Sequence, residues 1–117
     1  MDGLTIDGTA LSVCGVLIAL DIATGLAKAW IAHDIQSTAL REGLAHKATY
    51  VVLILLGVVC EYAQLHISLG VELPTALAIT VYIIVSEIVS VAENLVAINP
   101  ELGKWPILKQ LSAAHKE

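Results

Sequence analysis

The sequence has no phenylalanine, only three prolines and two cysteines, and six Lys and Arg against eleven Asp and Glu in 117 residues. Each scarcity closes a line of explanation. Cys14 and Cys60 both lie inside apolar runs, without the spacing of a disulfide framework or a metal site, so each reads as a small buried hydrophobe. The histidines, His33, His46, His66 and His115, fall at loops and segment ends without ligand spacing and read as interfacial or solvated groups. Six cations are too few for a nucleic-acid surface. No nucleophile stands beside a base and no glycine-rich loop is built to cradle a phosphate, so nothing points to an enzyme, a metal or a cofactor. The first nine residues hold Asp2 and Asp7 but no Lys or Arg, and so lack the basic leader of a secretory signal; the N-terminus is expected to stay attached.

Charge itself is the scarcity that decides the class. Only 15% of residues are charged while 57% are hydrophobic. A soluble bundle of this size needs a larger polar shell, so the chain reads as one small all-α membrane domain covering residues 1–117. Three stretches are long enough to cross a hydrocarbon core of about 30 Å, at roughly residues 10–32, 48–69 and 74–98, followed by a short tail over 99–117.

The third stretch, LPTALAITVYIIVSEIVSVAENLVAIN, carries Glu87 near its middle and Glu93 and Asn94 beyond it. An ionised group facing lipid at mid-depth costs about 3 kcal/mol on insertion scales, so these side chains should face other helices, a second subunit or water. At 100° per residue, Ser86, Ser90 and Glu93 cluster on one side, overlapped by Glu87 and Asn94, and Ile79, Ile83, Ile84 and Ile88 fill much of the rest. The other stretches repeat this pattern of a polar seam. In the first, Asp21, Thr24, Gly25 and Lys28 share a face that Cys14 continues; in the second, Tyr50, Gly57, Glu61 and Gln64 share one. Small and polar residues on one face let helices approach closely and hydrogen-bond across the contact; in the first stretch simple packing glue competes with a face that meets water on assembly.

The connections are short. A helix is expected to begin near Ser37 or Thr38, lie at the interface and turn inward near Gly43. Gly70 marks a tight loop, Pro74 is expected as the first helical residue of the third span, and Asn99 and Pro100 end it. In the tail, Ile107, Leu108 and Leu111 form an apolar strip among Lys104, Lys109 and Lys116, either an amphipathic segment on the membrane surface or a disordered basic tail.

Five of the six cations fall in the first loop and the tail, which three spans place on the same side, and the sixth, Lys28, lies near that side. The positive-inside rule then puts the N-terminus out and the C-terminus in, with Trp30 and Trp105 at the cytoplasmic interface, where an amphipathic indole belongs. Counting along each helix puts Asp21 and Glu87 near the midplane, Glu61 slightly outward, and Lys28 and Glu93 roughly 10 Å toward the cytoplasm, where they could pair. The three deeper acids are expected to have no cation at their own level.

Together these residues resemble the three-span bacteriophage holin family, the toxin-secretion and phage-lysis holins. The likeness runs through LDIATGLAKAW, the loop leading to His46-Lys47, an acid at Glu61, YIIVSEIVSVAEN, and a Leu-rich, Lys-bearing tail. Glu61 stands where the family pattern suggests Asp, and INPELGKWP replaces the expected Gly and Pro after Glu-Asn. The resemblance implies a multi-pass protein of the bacterial cytoplasmic membrane that forms a homo-oligomer and opens a pore or lesion. An endolysin or toxin then escapes during host cell lysis, with an antiholin as a candidate partner. The residues themselves leave two other classes open: a small proton- or cation-coupled transporter, marked by saturable flux, and a non-conducting membrane scaffold, marked by co-purification with a partner.

Overall fold

A computed structural model describes residues 4–33, 38–106 and 110, and every regular element among them is helical. Asp7 starts α1 (Gly8–Ile31) by accepting from the backbone N–H groups of Thr9 and Ala10, satisfying donors that the first turn leaves without partners. The helix ends where His33 adopts a left-handed conformation (φ 57°) and its N–H donates to the Trp30 carbonyl.

α2 (Thr38–His66) is longer than expected. It runs unbroken through Gly43, starting about ten residues before the second apolar stretch was expected to begin. The sequence from Thr38 onward has Ala, Leu, Arg, Glu and Lys in abundance and no proline, so nothing local ends the helix at the apolar boundary. Gly70 has a positive φ of 75° in the following turn, where the Gln64 amide donates to the Val71 carbonyl.

α3 (Ala76–Ile98) begins two residues after Pro74, not at it. The Thr75 hydroxyl accepts from the N–H of Ala78 and takes the capping position, which leaves Pro74 just outside the helix. At the other end Asn99 closes α3, and its side chain accepts from Glu101 N–H, opening a 3₁₀ turn, Pro100–Lys104, that begins with proline. The proposed apolar strip of Ile107, Leu108 and Leu111 lies outside the described residues.

All three helices are long and apolar enough to cross a membrane. They do not share the burial equally: 39% of the apolar window of α3 is buried, against 11% for α1 and 6% for α2. α3 is therefore the central helix, packed extensively along α1, less along α2, while α1 and α2 touch least. Gly57 lets α2 come close to α3; a β-carbon there would come within 2.7 Å of Ile79 Cδ1 and 3.1 Å of the Ala76 Cα. The outward faces are apolar, with Val16 and Leu20 on α1, Val52, Leu55 and Val59 on α2, and Val81 and Val85 on α3 all exposed.

Candidate functional site

The polar seams turn toward one another inside this bundle. Asp21 on α1 is 6% exposed and Glu87 on α3 is 1% exposed. Lys47 reaches them from α2, with its Nζ 2.5 Å from Asp21 Oδ2 and 3.7 Å from Glu87 Oε2. One ammonium thus joins carboxylates on two other helices. The expectation that the deep acids lack a cation at their own level is corrected for Asp21 and Glu87, because α2 runs unbroken through Gly43 and makes Lys47 a helical residue rather than a loop residue. A lysine stem of four methylenes can lie along an apolar surface and place its charge some distance from its own backbone.

Hydrogen bonds complete the Asp21 side of the cluster. Asn94 Nδ2 on α3 donates to Asp21 Oδ1 at 2.8 Å, to the Asp21 carbonyl at 3.3 Å and to Thr24 Oγ1 at 3.0 Å. Thr24 in turn donates to the Leu20 carbonyl one turn back, at 2.8 Å. Glu87 Oε2 is less well served: it has no hydrogen-bond partner and meets Lys47 only across the longer distance. Beside the cluster a cavity of about 190 Å³ opens between α1 and the first turns of α2, with Asp21, Gly25, Lys28, Gly43, Lys47 and Asn94 among its lining residues. Glycine at positions 25 and 43 keeps side-chain bulk out of that space.

A third buried carboxylate, Glu61, lies elsewhere, near the end of the bundle where the N-terminal segment crosses. Glu61 is 5% exposed and accepts from Thr5 twice, from the backbone N–H at 3.1 Å and from the hydroxyl in a very short contact. Thr5 Oγ1 also accepts from Leu77 N–H at 2.9 Å, so one threonine links Glu61 of α2 to the first turn of α3.

The structure therefore brings Asp21, Thr24, Glu87 and Asn94 into one cluster, places Gly25 against Asn94 at its edge, and puts Glu61 in a separate site. Gly57 serves the α2–α3 contact and Gln64 the loop after α2. Ser86 is buried and Ser90 half-buried, while Lys28 and Glu93 are both exposed. Among the described residues, the two ion pairs within 4.0 Å both belong to Lys47, so the Lys28–Glu93 pairing suggested by depth is not formed. Trp30 and Trp105 are 70% and 58% exposed, as side chains directed away from the bundle. Cys14 is buried and free, Cys60 half-buried and free, and no group of possible metal ligands occurs among the described residues.

Sequence reasoning passed over Lys47 and Thr5. Lys47 was legible: the α2 seam Tyr50, Gly57, Glu61 and Gln64 continues one turn back onto it at helical spacing. Thr5 lies outside any periodic segment and carries no such signal.

Three apolar helices enclosing a charged centre define a multi-pass membrane protein. Over residues 4–114 the sequence matches the bacteriophage holin family, and the chain belongs to that family. No curated protein and no solved structure matches it.

Proposed function

We propose that this protein is a working holin of the bacterial cytoplasmic membrane: it accumulates there, assembles with copies of itself, and opens a lesion through which an endolysin or toxin leaves the cell. The observation that carries the reading, beside family membership, is the contrast between an apolar exterior and a charged interior in one small subunit. Such a subunit is compatible with lipid while its acids face inward. An aqueous opening needs polar groups on a surface, and Asp21, Glu61, Glu87 and Ser90 are the groups available to line it.

In this reading the N-terminus lies outside the cytoplasm and the C-terminus inside, following the cation distribution. Association of subunits depends steeply on their density in the membrane, so a threshold density sets the time of opening, and collapse of the membrane potential reinforces it through charges held within the field. An antiholin would act by shifting that threshold.

Induction of the protein alone in a bacterium tests this. Culture density and membrane potential are followed while a folded cytoplasmic enzyme is assayed outside the cytoplasmic membrane. Abrupt, delayed loss of potential with escape of the enzyme is the expected result. Gradual or absent depolarisation with the enzyme retained would overturn the reading in favour of a transporter or scaffold.

A further inference from the structure

The three-helix cluster has the form of a ligand site whose ligand belongs to the chain itself. α1 and α3, the two helices that pack most closely, each contribute a buried carboxylate, Asp21 and Glu87. The group seated on them is the ammonium of Lys47, brought by α2, the helix with the least buried span. Two further observations mark the position as a cation site. Glu87 Oε2, on a side chain that is almost fully buried, has no hydrogen-bond partner and faces the ammonium at 3.7 Å. The adjoining cavity of about 190 Å³ gives a small molecule room to approach Lys47 and Asp21.

We propose that Asp21 and Glu87 form a site for a primary ammonium group, that Lys47 occupies it as a tethered ligand, and that this occupancy locks α2 against the α1–α3 pair. The inference rests on the holin reading only for its consequence, that releasing Lys47 is the step by which a subunit becomes competent to assemble. Two carboxylates serving one ammonium in an apolar surrounding depend on it strongly, because removing one member of a buried ionic group leaves its partners uncompensated. Further along α2, Gly57 packs against Ile79 and Ala76 of α3, so the end of α2 that carries Lys47 is the end that the lock controls.

Chemical rescue tests the site. The Lys47→Ala variant lacks the ammonium but keeps both carboxylates, and ethylamine supplied in the medium crosses the membrane as the neutral base and can refill the site as ethylammonium. In purified Lys47→Ala protein, ethylammonium is expected to raise the thermal unfolding temperature saturably, ethanol to leave it unchanged, and wild-type protein to respond to neither. In cells, at equal amounts of membrane-inserted protein, Lys47→Ala should shorten the delay before depolarisation by about twofold, a modest shift in a two-state population. Ethylamine should restore the delay. The exchange Asp21→Lys with Lys47→Asp, which keeps the total charge, provides a second variant and should return the timing toward wild type.

No saturable effect of ethylammonium on the purified variant would overturn the site. Triggering by Lys47→Ala at the wild-type time would overturn the lock. If wild-type protein itself never depolarises cells, it is the holin reading that fails, and the binding measurement on purified protein still decides the ammonium site.

Discussion

Glu61 and Glu87 are both buried carboxylates on apolar helices, and they are satisfied in opposite ways. Glu61, near the end of the bundle, accepts twice from one neutral residue, Thr5, which also accepts from the first turn of α3. Glu87, in the middle of α3, faces an ammonium that it shares with Asp21 and keeps one oxygen without a hydrogen bond. The difference follows from what each depth offers. Where chain ends cross, unpaired backbone N–H groups and short polar side chains are at hand; in mid-helix the backbone donors are already used, and the partners are side chains of other helices, Asn94 for Asp21 and the long stem of Lys47 for both acids. A neutral arrangement of that kind is local and directional, whereas an ionic one reaches across three helices and depends on each of its members.

The comparison can be broken at either end. The largest effect is expected from Lys47→Ala, which strips the ionic site of its cation and should destabilise the detergent-solubilised protein by about 3–5 kcal/mol, measured by denaturant unfolding. A loss below about 1 kcal/mol would mean that the acids find other partners, and the contrast with Glu61 would disappear. Next in size, Gly57→Leu drives a side chain into Ile79 and the Ala76 backbone and should cost about 1–3 kcal/mol, with crosslinking or protease cleavage reporting separation of α2 from α3. Thr5→Val removes the hydroxyl while keeping the backbone donor to Glu61, so a loss of about 1–2 kcal/mol is expected, with Thr5→Ser close to wild type; equal losses for Val and Ser would show that packing, not the hydroxyl, matters there. The smallest effect concerns Lys28 and Glu93, exposed and not paired with one another. A double-mutant cycle with Lys28→Gln and Glu93→Gln should give a coupling below about 0.5 kcal/mol.

Much of the architecture is written in hydropathy. Three runs of sufficient length define three helices, and the seam positions Asp21, Gly57, Glu61, Glu87 and Asn94 all fall on buried surface because helical periodicity sorts residues onto faces before any partner is known. Periodicity within one helix says nothing of which seam meets which. The alignment of Lys28 with Glu93 by depth treated side chains as lying level with their backbones, and the long stem of Lys47 breaks that assumption. The helix start near Thr38 agrees with the expectation, but the turn expected near Gly43 is absent: apolar content marks the lipid-compatible stretch, while the helix itself extends as far as propensity and hydrogen bonding allow. Thr5 was illegible because its contacts join residues far apart in the chain, at separations of 56 and 72, outside any local pattern.

The length of α2 carries a consequence for the lipid as well as for the protein. At about 1.5 Å per residue its 29 residues extend about 44 Å, while α1 and α3, with 24 and 23, extend about 36 and 35 Å. A hydrocarbon slab of about 30 Å can accommodate the shorter pair with ordinary tilt, but α2 must lean further or project its first turns among the headgroups. Arg41, Glu42 and His46, exposed on those first turns, suit that projection, while Lys47 just beyond them sends its charge into the bundle. Lipid thickness thereby becomes a mechanical variable of the subunit: a slab that thins or swells changes the lean of one helix more than that of its neighbours, and with it the reach demanded of a single side chain.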